Sequence, residues 1–364
     1  MTPPLSRRAF LAAAAGLAAT PSPAAVPEIE RGGMVYRKLG KSDLYVSLLS
    51  FGSHTDPKYK VRTSKHVNGL NEEGQARRDR QILHSFDLGV NMVDTYENAG
   101  QWEPMARLMK GRRDKVLVSI CRQFPMFVGE NIDRAARLYG GHVDMYRIYI
   151  GGNPGLTERD IEDWDVLRKA KQAGKIRALG ISTHNEQVML EALREFEGLD
   201  YVMFPYNFIH ARADYSQFLP EAVKQGVGLI AIKPLAAGSI LKLDPKARPG
   251  VQPENEKFTL YQQQYRPLLP QVVAELTRSL NRLPEETLCQ AALRFVYSRP
   301  FLTSAMPGMF DDHMIEENYQ ALSRARELSH NERDVLNAAA RVVEYAGKGW
   351  LPPHYRWLDA QWRA

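Results

Sequence analysis

Eight short β-branched or apolar runs, the amphipathic stretches between them, and the absence of a G-x-G-x-x-G after the first run predict an α/β fold: a (β/α)8 TIM barrel, favoured over an open doubly wound sheet. The runs are Val46–Phe51, Asn91–Asp94, Val116–Cys121, Met145–Ile150, Ile176–Ser182, Tyr201–Phe204, Gly228–Ile232 and Leu302–Met306. Between them, Ile161, Trp164, Leu167 and Ala170 recur at helical spacing before Gly174, and Val188, Leu190, Leu193 and Phe196 do the same. Two connections are long. Residues 54–74 carry His54, Asp56, Tyr59, Lys60 and Arg62, and residues 236–268 carry Phe258, Tyr261 and Tyr265. Strand-to-helix loops build barrel active sites, so both are expected to shape a pocket.

The chain has 364 residues, 44 % hydrophobic and 25 % charged, which excludes a disordered or low-complexity protein. Two cysteines, Cys121 and Cys289, are too few for a disulfide framework, a four-thiolate cluster or a zinc ribbon, and leave one disulfide open. Nine histidines show no close ligand spacing, so no metal is expected. The net charge of +6 comes without a Lys/Arg cluster interleaved with aromatics, so no nucleic-acid partner is expected.

The first 25 residues read as an address. Ser6-Arg7-Arg8-Ala9-Phe10-Leu11 precedes an Ala-rich run to Thr20, then Ser22-Pro23-Ala24. A basic start, a short apolar stretch and small residues fit a secretory signal too short for a membrane span. The Arg-Arg-x-Phe-Leu pattern is similar to a twin-arginine (Tat) signal peptide. The expectation is a protein exported folded to the periplasm by the twin-arginine translocation machinery, with no stable membrane insertion after signal removal. The remaining division is a barrel over 34–325 and a C-terminal helical and aromatic extension over 326–364. The extension holds Trp350, Trp357 and Trp362 beside His354, Tyr355 and Arg356.

Several segments together resemble the aldo/keto reductase family. Met34–Gly40 resembles its N-terminal hairpin, which closes the barrel floor. Asn91-Met92-Val93-Asp94-Thr95 resembles its second strand, and Gly174–Ser182 its G-K-[IV]-R-x-[IL]-G-[VI]-S segment. Pro205-Tyr206-Asn207 and Ala231-Ile232-Lys233-Pro234-Leu235 resemble its sixth and seventh strand ends. Met306-Pro307-Gly308 with Glu316-Glu317-Asn318 resembles its dinucleotide element. The resemblance implies hydride transfer between a nicotinamide and a carbonyl or alcohol, with a Tyr acid tuned by a Lys and a His and tied to an Asp.

The chain departs from that pattern where the chemistry should be. Asp94 matches the family Asp, but the Tyr position is Ala99. The Lys position falls on Cys121, or on Arg122 if the register slips by one, and the His position on Tyr149. Tyr149 is the expected replacement proton donor with Asp94 as its partner, because a phenol at a strand end can protonate a developing alkoxide. Cys121 or Arg122 is its expected electrophilic neighbour, and Arg would stabilise an oxyanion. Tyr96 and His54 come next.

The cofactor positions implied by the resemblance are better kept. Ser182 matches a residue holding the nicotinamide carboxamide, with Thr183 and Met203 at the neighbouring Asn and Gln positions. Ile232 stands for the stacking aromatic, Lys233 is within reach of a pyrophosphate, and Glu317 and Asn318 match residues around the adenine. Gly308, Met309, Phe310 and Met314 offer no cation for a 2′-phosphate, which weakens NADP against NAD. The expectation is an exported NAD(P)-dependent oxidoreductase of non-standard site, with tightly bound NAD or NADP and a small-molecule, sugar-like substrate. The alternatives are a silenced barrel acting as a periplasmic binding protein, and a non-redox lyase or isomerase.

Overall fold

In the computed structural model the described residues are 25–62, 69–96, 100–122, 128–151, 154–207, 213, 216–235 and 285–323. The signal-like segment, Ala99, the aromatics of residues 236–268 and the tryptophan-rich tail lie outside them. The chain opens with β1 (Glu28–Arg31) and β2 (Met34–Lys38), an antiparallel hairpin. Its turn, Gly32-Gly33, has φ of 57° and 81°, a left-handed pair that glycine adopts without a Cβ clash. β3 (Tyr45–Ser47) pairs antiparallel with β2. Leu39, Leu44 and Val46 from this sheet pack inside the barrel against Met92 and Met145, so the expected floor is present. Gly40 permits that fit, since a Cβ there would lie 2.5 Å from the Gly228 nitrogen.

The long first connection holds β4 (Lys60–Val61) paired with β5 (Gly69–Leu70), and then α1 (Glu72–Asp87). No apolar periodicity marks α1, because Arg78 and Gln81 share its buried face with Ile82. The barrel then proceeds through β6 (Met92–Tyr96), α2 (Trp102–Leu108), β7 (Leu117–Arg122), α3 (Val128–Leu138), β8 (Val143–Tyr149) and α4 (Glu158–Gln172). It continues with β9 (Ile176–Ser182), α5 (Glu186–Glu195), β10 (Tyr201–Pro205), α6 (Phe218–Lys224) and β11 (Gly228–Ile232), and ends in α7 (Leu288–Tyr297), β12 (Ser304–Met306) and α8 (Asp312–Ser323). Thr157 and Asp160 form a capping box that starts α4 three residues before the apolar periodicity begins.

Strands β6 to β12 form one parallel sheet in sequence order. Parallel bridges from Leu49 to Ala305 and from Phe51 to Val93 join residues 48–51 to both of its edges. That segment is the eighth barrel strand, the one expected at Val46–Phe51. Outward side chains such as Val93, Ile120 and Ile148 pack under the helices, and inward ones fill the interior. No helix among the described residues is long and apolar enough to cross a membrane.

Candidate active site

Alternation along each strand decides which side chains meet. Asp94 and Tyr96 of β6, Ser119 and Cys121 of β7, Arg147 and Tyr149 of β8, and Ser182 of β9 share the inward face. Register sets them side by side: Tyr96 opposite Cys121, Cys121 opposite Arg147, Tyr149 opposite Ser182.

Beneath the mouth lies a closed electrostatic unit. Arg147 grips Asp94 with both terminal nitrogens, Nη1 to Oδ1 and Nη2 to Oδ2 at 2.8 Å. Ser119 Oγ donates to Asp94 Oδ1 at 2.7 Å and accepts from Arg147 Nη1 at 2.9 Å. Both charged side chains are no more than 2 % exposed. Burial pushes the Asp94 carboxyl up, but the Arg147 charge and the bonds from Arg147, Ser119 and Ser53 hold it below the usual carboxylate range. Arg147 keeps its charge although burial opposes it, because Asp94 lies against it. Asp94 is therefore the partner of Arg147 and not of Tyr149. Arg147 escaped the sequence reading, although a signal existed: it shares strand parity with Tyr149, and a buried Arg requires a carboxylate.

Arg122 falls on the other face of β7. Its Nη2 lies 2.6 Å from Asp163 of α4, both side chains 5 % exposed, so it braces helix against sheet and does not face the mouth. The inward residue is Cys121; it and Cys289 are both buried and form no disulfide.

Tyr149 stands at the rim, with its ring edge-on to His184 at 5.7 Å between centroids. Burial and the neighbouring Cys121 raise its pKa. His184 Nε2 lies 3.3 Å from Lys233 Nζ. Across the mouth, Tyr96 Oη is 3.4 Å from His54 Nε2, and desolvation, then Cys121 and Asp94, push the Tyr96 phenol up. His54 is pulled down to about 4, first by desolvation and then by Lys60 and Lys233, so its ring is neutral at pH 7. Arg78 holds the backbone of this loop, donating to the carbonyls of His54 at 3.0 Å and Gly52 at 3.1 Å.

The expected cofactor residues divide. Ser182 is at the rim, and among the described residues nothing hydrogen-bonds its hydroxyl. Thr183 Oγ1 accepts from the Asn185 amide at 3.2 Å, forming a local turn. Ile232 is half-buried at the edge of the interior cluster. Met203 is fully buried in that cluster beside Tyr201 and Ile230, which removes it from any cofactor surface. Asn318 Nδ2 donates to the Gly308 carbonyl at 3.0 Å and shapes the loop before α8, while Glu317 accepts from Thr287 at 2.6 Å. Asp311 caps α8 by accepting from the Met314 amide at 2.8 Å, so a carboxylate already occupies that helix start. Among the described residues no group of three or more His, Cys, Asp or Glu is placed to hold a metal ion.

Residues 64–340 match the model of the Aldo/keto reductase family. The chain belongs to the aldo/keto reductase family. Its members are generally NAD(P)-dependent oxidoreductases acting on carbonyl substrates. Among relatives, the L-glyceraldehyde 3-phosphate reductase of Escherichia coli (strain K12) is 28 % identical over 327 residues, covering 80 % of this chain and 88 % of that protein. The "Probable voltage-gated potassium channel subunit beta" of Arabidopsis thaliana is 26 % identical over 324 residues, covering 79 % and 91 %. The holo form of an aldo-keto reductase from Bacillus halodurans superposes with a TM-score of 0.60 at 21 % identity, covering 84 % of this chain and 96 % of that one. At that identity the likeness establishes the shared barrel alone.

Proposed function

We propose that this protein is an exported oxidoreductase that transfers hydride between a nicotinamide nucleotide and the carbonyl of a small, sugar-like molecule, with Tyr149 as proton donor. The observation that carries the proposal is the rim of β8 and β9, where Tyr149 is the register partner of Ser182 and meets His184. Ser182, with its hydroxyl unengaged by the described residues, suits a carboxamide, and the Asn318-shaped loop before α8 suits the adenosine end. The residues present therefore fit a nicotinamide nucleotide. Ser182, Ile232, Lys233, Gly308, Glu317 and Asn318 would hold it. When bound, it supplies the hydride.

The chain's own part is the proton. As negative charge develops on the carbonyl oxygen, the Tyr149 hydroxyl donates to it, and His184 beside it returns a proton from solvent. The Asp94–Arg147 pair below is neutral overall, and Cys121 carries no ammonium. Burial and Cys121 push the phenol up. A phenol kept protonated through neutral pH suits carbonyl reduction better than alcohol oxidation, which needs a base. A short hydroxy-aldehyde or ketose is the substrate class first tested, since the Escherichia coli relative is named for glyceraldehyde 3-phosphate.

Tyr149→Phe removes one hydroxyl and keeps the ring. On a substrate found by screening it should lose about 10²–10⁴-fold in turnover, with bound nucleotide retained. Parent-rate turnover would discard Tyr149 in favour of Tyr96. Nucleotide released from gently denatured protein is expected by mass spectrometry, and its absence would favour a silenced binding barrel. Export through the twin-arginine route predicts that changing Arg7 and Arg8 to Lys retains the precursor in the cytoplasm. Unchanged periplasmic yield would refute that route.

A further inference from the structure

Lys233 is where the backbone breaks its own pattern. Along β11, Ile230 and Ile232 point into the barrel and Leu229 and Ala231 away from it. Continued alternation would send the next side chain outward, toward the helices. Lys233 instead has φ of 54°, the only non-glycine with positive φ among the described residues, and it precedes Pro234. A left-handed backbone is strained for a non-glycine, and a following proline narrows its choices further. Asn207, fully buried, holds this conformation by donating from Nδ2 to the Lys233 carbonyl at 3.0 Å. The result carries the Lys233 amine beyond β10 to His184, which follows β9, with Nζ and Nε2 3.3 Å apart. Its charge also reaches His54 on the opposite side of the mouth. Strain held in place at a strand end is a mark of function.

The surroundings suit a nucleophile. Burial pulls the ammonium down to about 8, so about a tenth is neutral at pH 7, against under about one in a thousand for an ordinary lysine. The two groups nearest the amine along the rim, His184 and then Tyr149, both exchange protons.

We propose that Lys233 is a carbonyl-reactive amine that forms an imine with small aldehydes or ketones entering the barrel mouth. The Nζ lone pair forms a bond to the carbonyl carbon. The carbonyl π pair moves to oxygen, which takes a proton passed through His184 or Tyr149. The nitrogen loses its two protons in turn to the same relay, which delivers a second proton to the oxygen; the carbon–oxygen bond breaks, and water leaves as the C=N bond forms. Nothing is oxidised or reduced, and no co-reactant is needed. This chemistry belongs to lyases and isomerases that work through an imine, and it goes beyond the hydride-transfer reading without depending on it.

The test is reductive trapping of the full-length protein with glycolaldehyde and sodium cyanoborohydride, without nucleotide, followed by peptide mapping. Lys233 should be alkylated at least tenfold faster than the exposed Lys41 and Lys110. Replacing His184 by Gln should slow Lys233 labelling severalfold while leaving Lys41 unchanged. Lys233→Arg keeps the positive charge and cannot form an imine, so trapping above the surface background should vanish. Labelling of Lys233 no faster than Lys41 overturns the proposal and leaves Lys233 as a cation for a phosphate group. Because trapping reads imine formation and not hydride transfer, a failed reductase assay does not alter this outcome, and failed trapping does not alter the reductase reading.

Discussion

The two sides of the barrel rim have been treated differently. On the side of β9 to β12, Ser182, Asn207, Gly308, Glu317 and Asn318 match the family by resemblance, and Asn318 ties the Gly308 loop to α8. On the side of β6 to β8, the resemblance pairs only Asp94 with a residue of the family's catalytic set. Yet the charge balance there survives. The resemblance implies a cation at the position of Cys121; the cation that meets Asp94 is Arg147, the register partner of Cys121 on the next strand. The difference teaches that a buried carboxylate dictates its surroundings more strictly than a reactive group does. An ion pair can move by one strand, but the carboxylate cannot be left alone.

The largest expected effect breaks the side that changed. Asp94→Ala leaves Arg147 buried without a partner and should cost about 3–5 kcal/mol, measured by denaturant unfolding. Replacing both, Asp94→Ala with Arg147→Met, should recover most of the loss. A single-variant loss under about 1 kcal/mol would show that water or another carboxylate compensates Arg147. The sign in acid follows from the same pair. The folded-state pKa of Asp94 lies below its unfolded value near ~3.9, so its contribution is present above about pH 4 and is lost as pH falls through the folded value. The melting temperature of the parent should therefore drop in acid more steeply than that of the double variant.

A smaller effect sits between the two sides. Lys233 has its folded pKa lowered, so it costs stability while charged, and the cost fades as pH rises from about 8 toward the unfolded value near ~10.4. Discounted for partial solvent access, Lys233→Met should stabilise by about 1–2 kcal/mol at pH 7, with the gain vanishing near pH 10. A destabilised variant at pH 7 would mean that the amine's contacts outweigh its desolvation.

The smallest effect sharpens the side that was kept. Asp311 places a carboxylate at the start of α8, and Gly308, Met309, Phe310 and Met314 bring no cation. NAD should therefore bind at least as well as NADP, and Asp311→Arg should raise NADP affinity by about tenfold, or 1.4 kcal/mol, in a fluorescence titration. A parent already preferring NADP tenfold would point to a cation from elsewhere on the chain.

By itself the sequence determined the barrel, because strand runs and the helical spacing between them are local. Ile176–Ser182 and Gly228–Ile232 were legible to the residue. It also pointed to the family, through motifs such as Gly174–Ser182 that are contiguous in the chain. It did not reveal α1, whose buried face is partly polar. Only the tertiary structure decided what Asp94 touches, which of Cys121 and Arg122 faces inward, and where the Lys233 amine lies. Those outcomes depend on register between strands far apart in the chain and on one backbone angle. A shift of one residue would have exchanged Cys121 for Arg122, and an ordinary φ at Lys233 would have kept strand alternation and turned its amine away from the mouth.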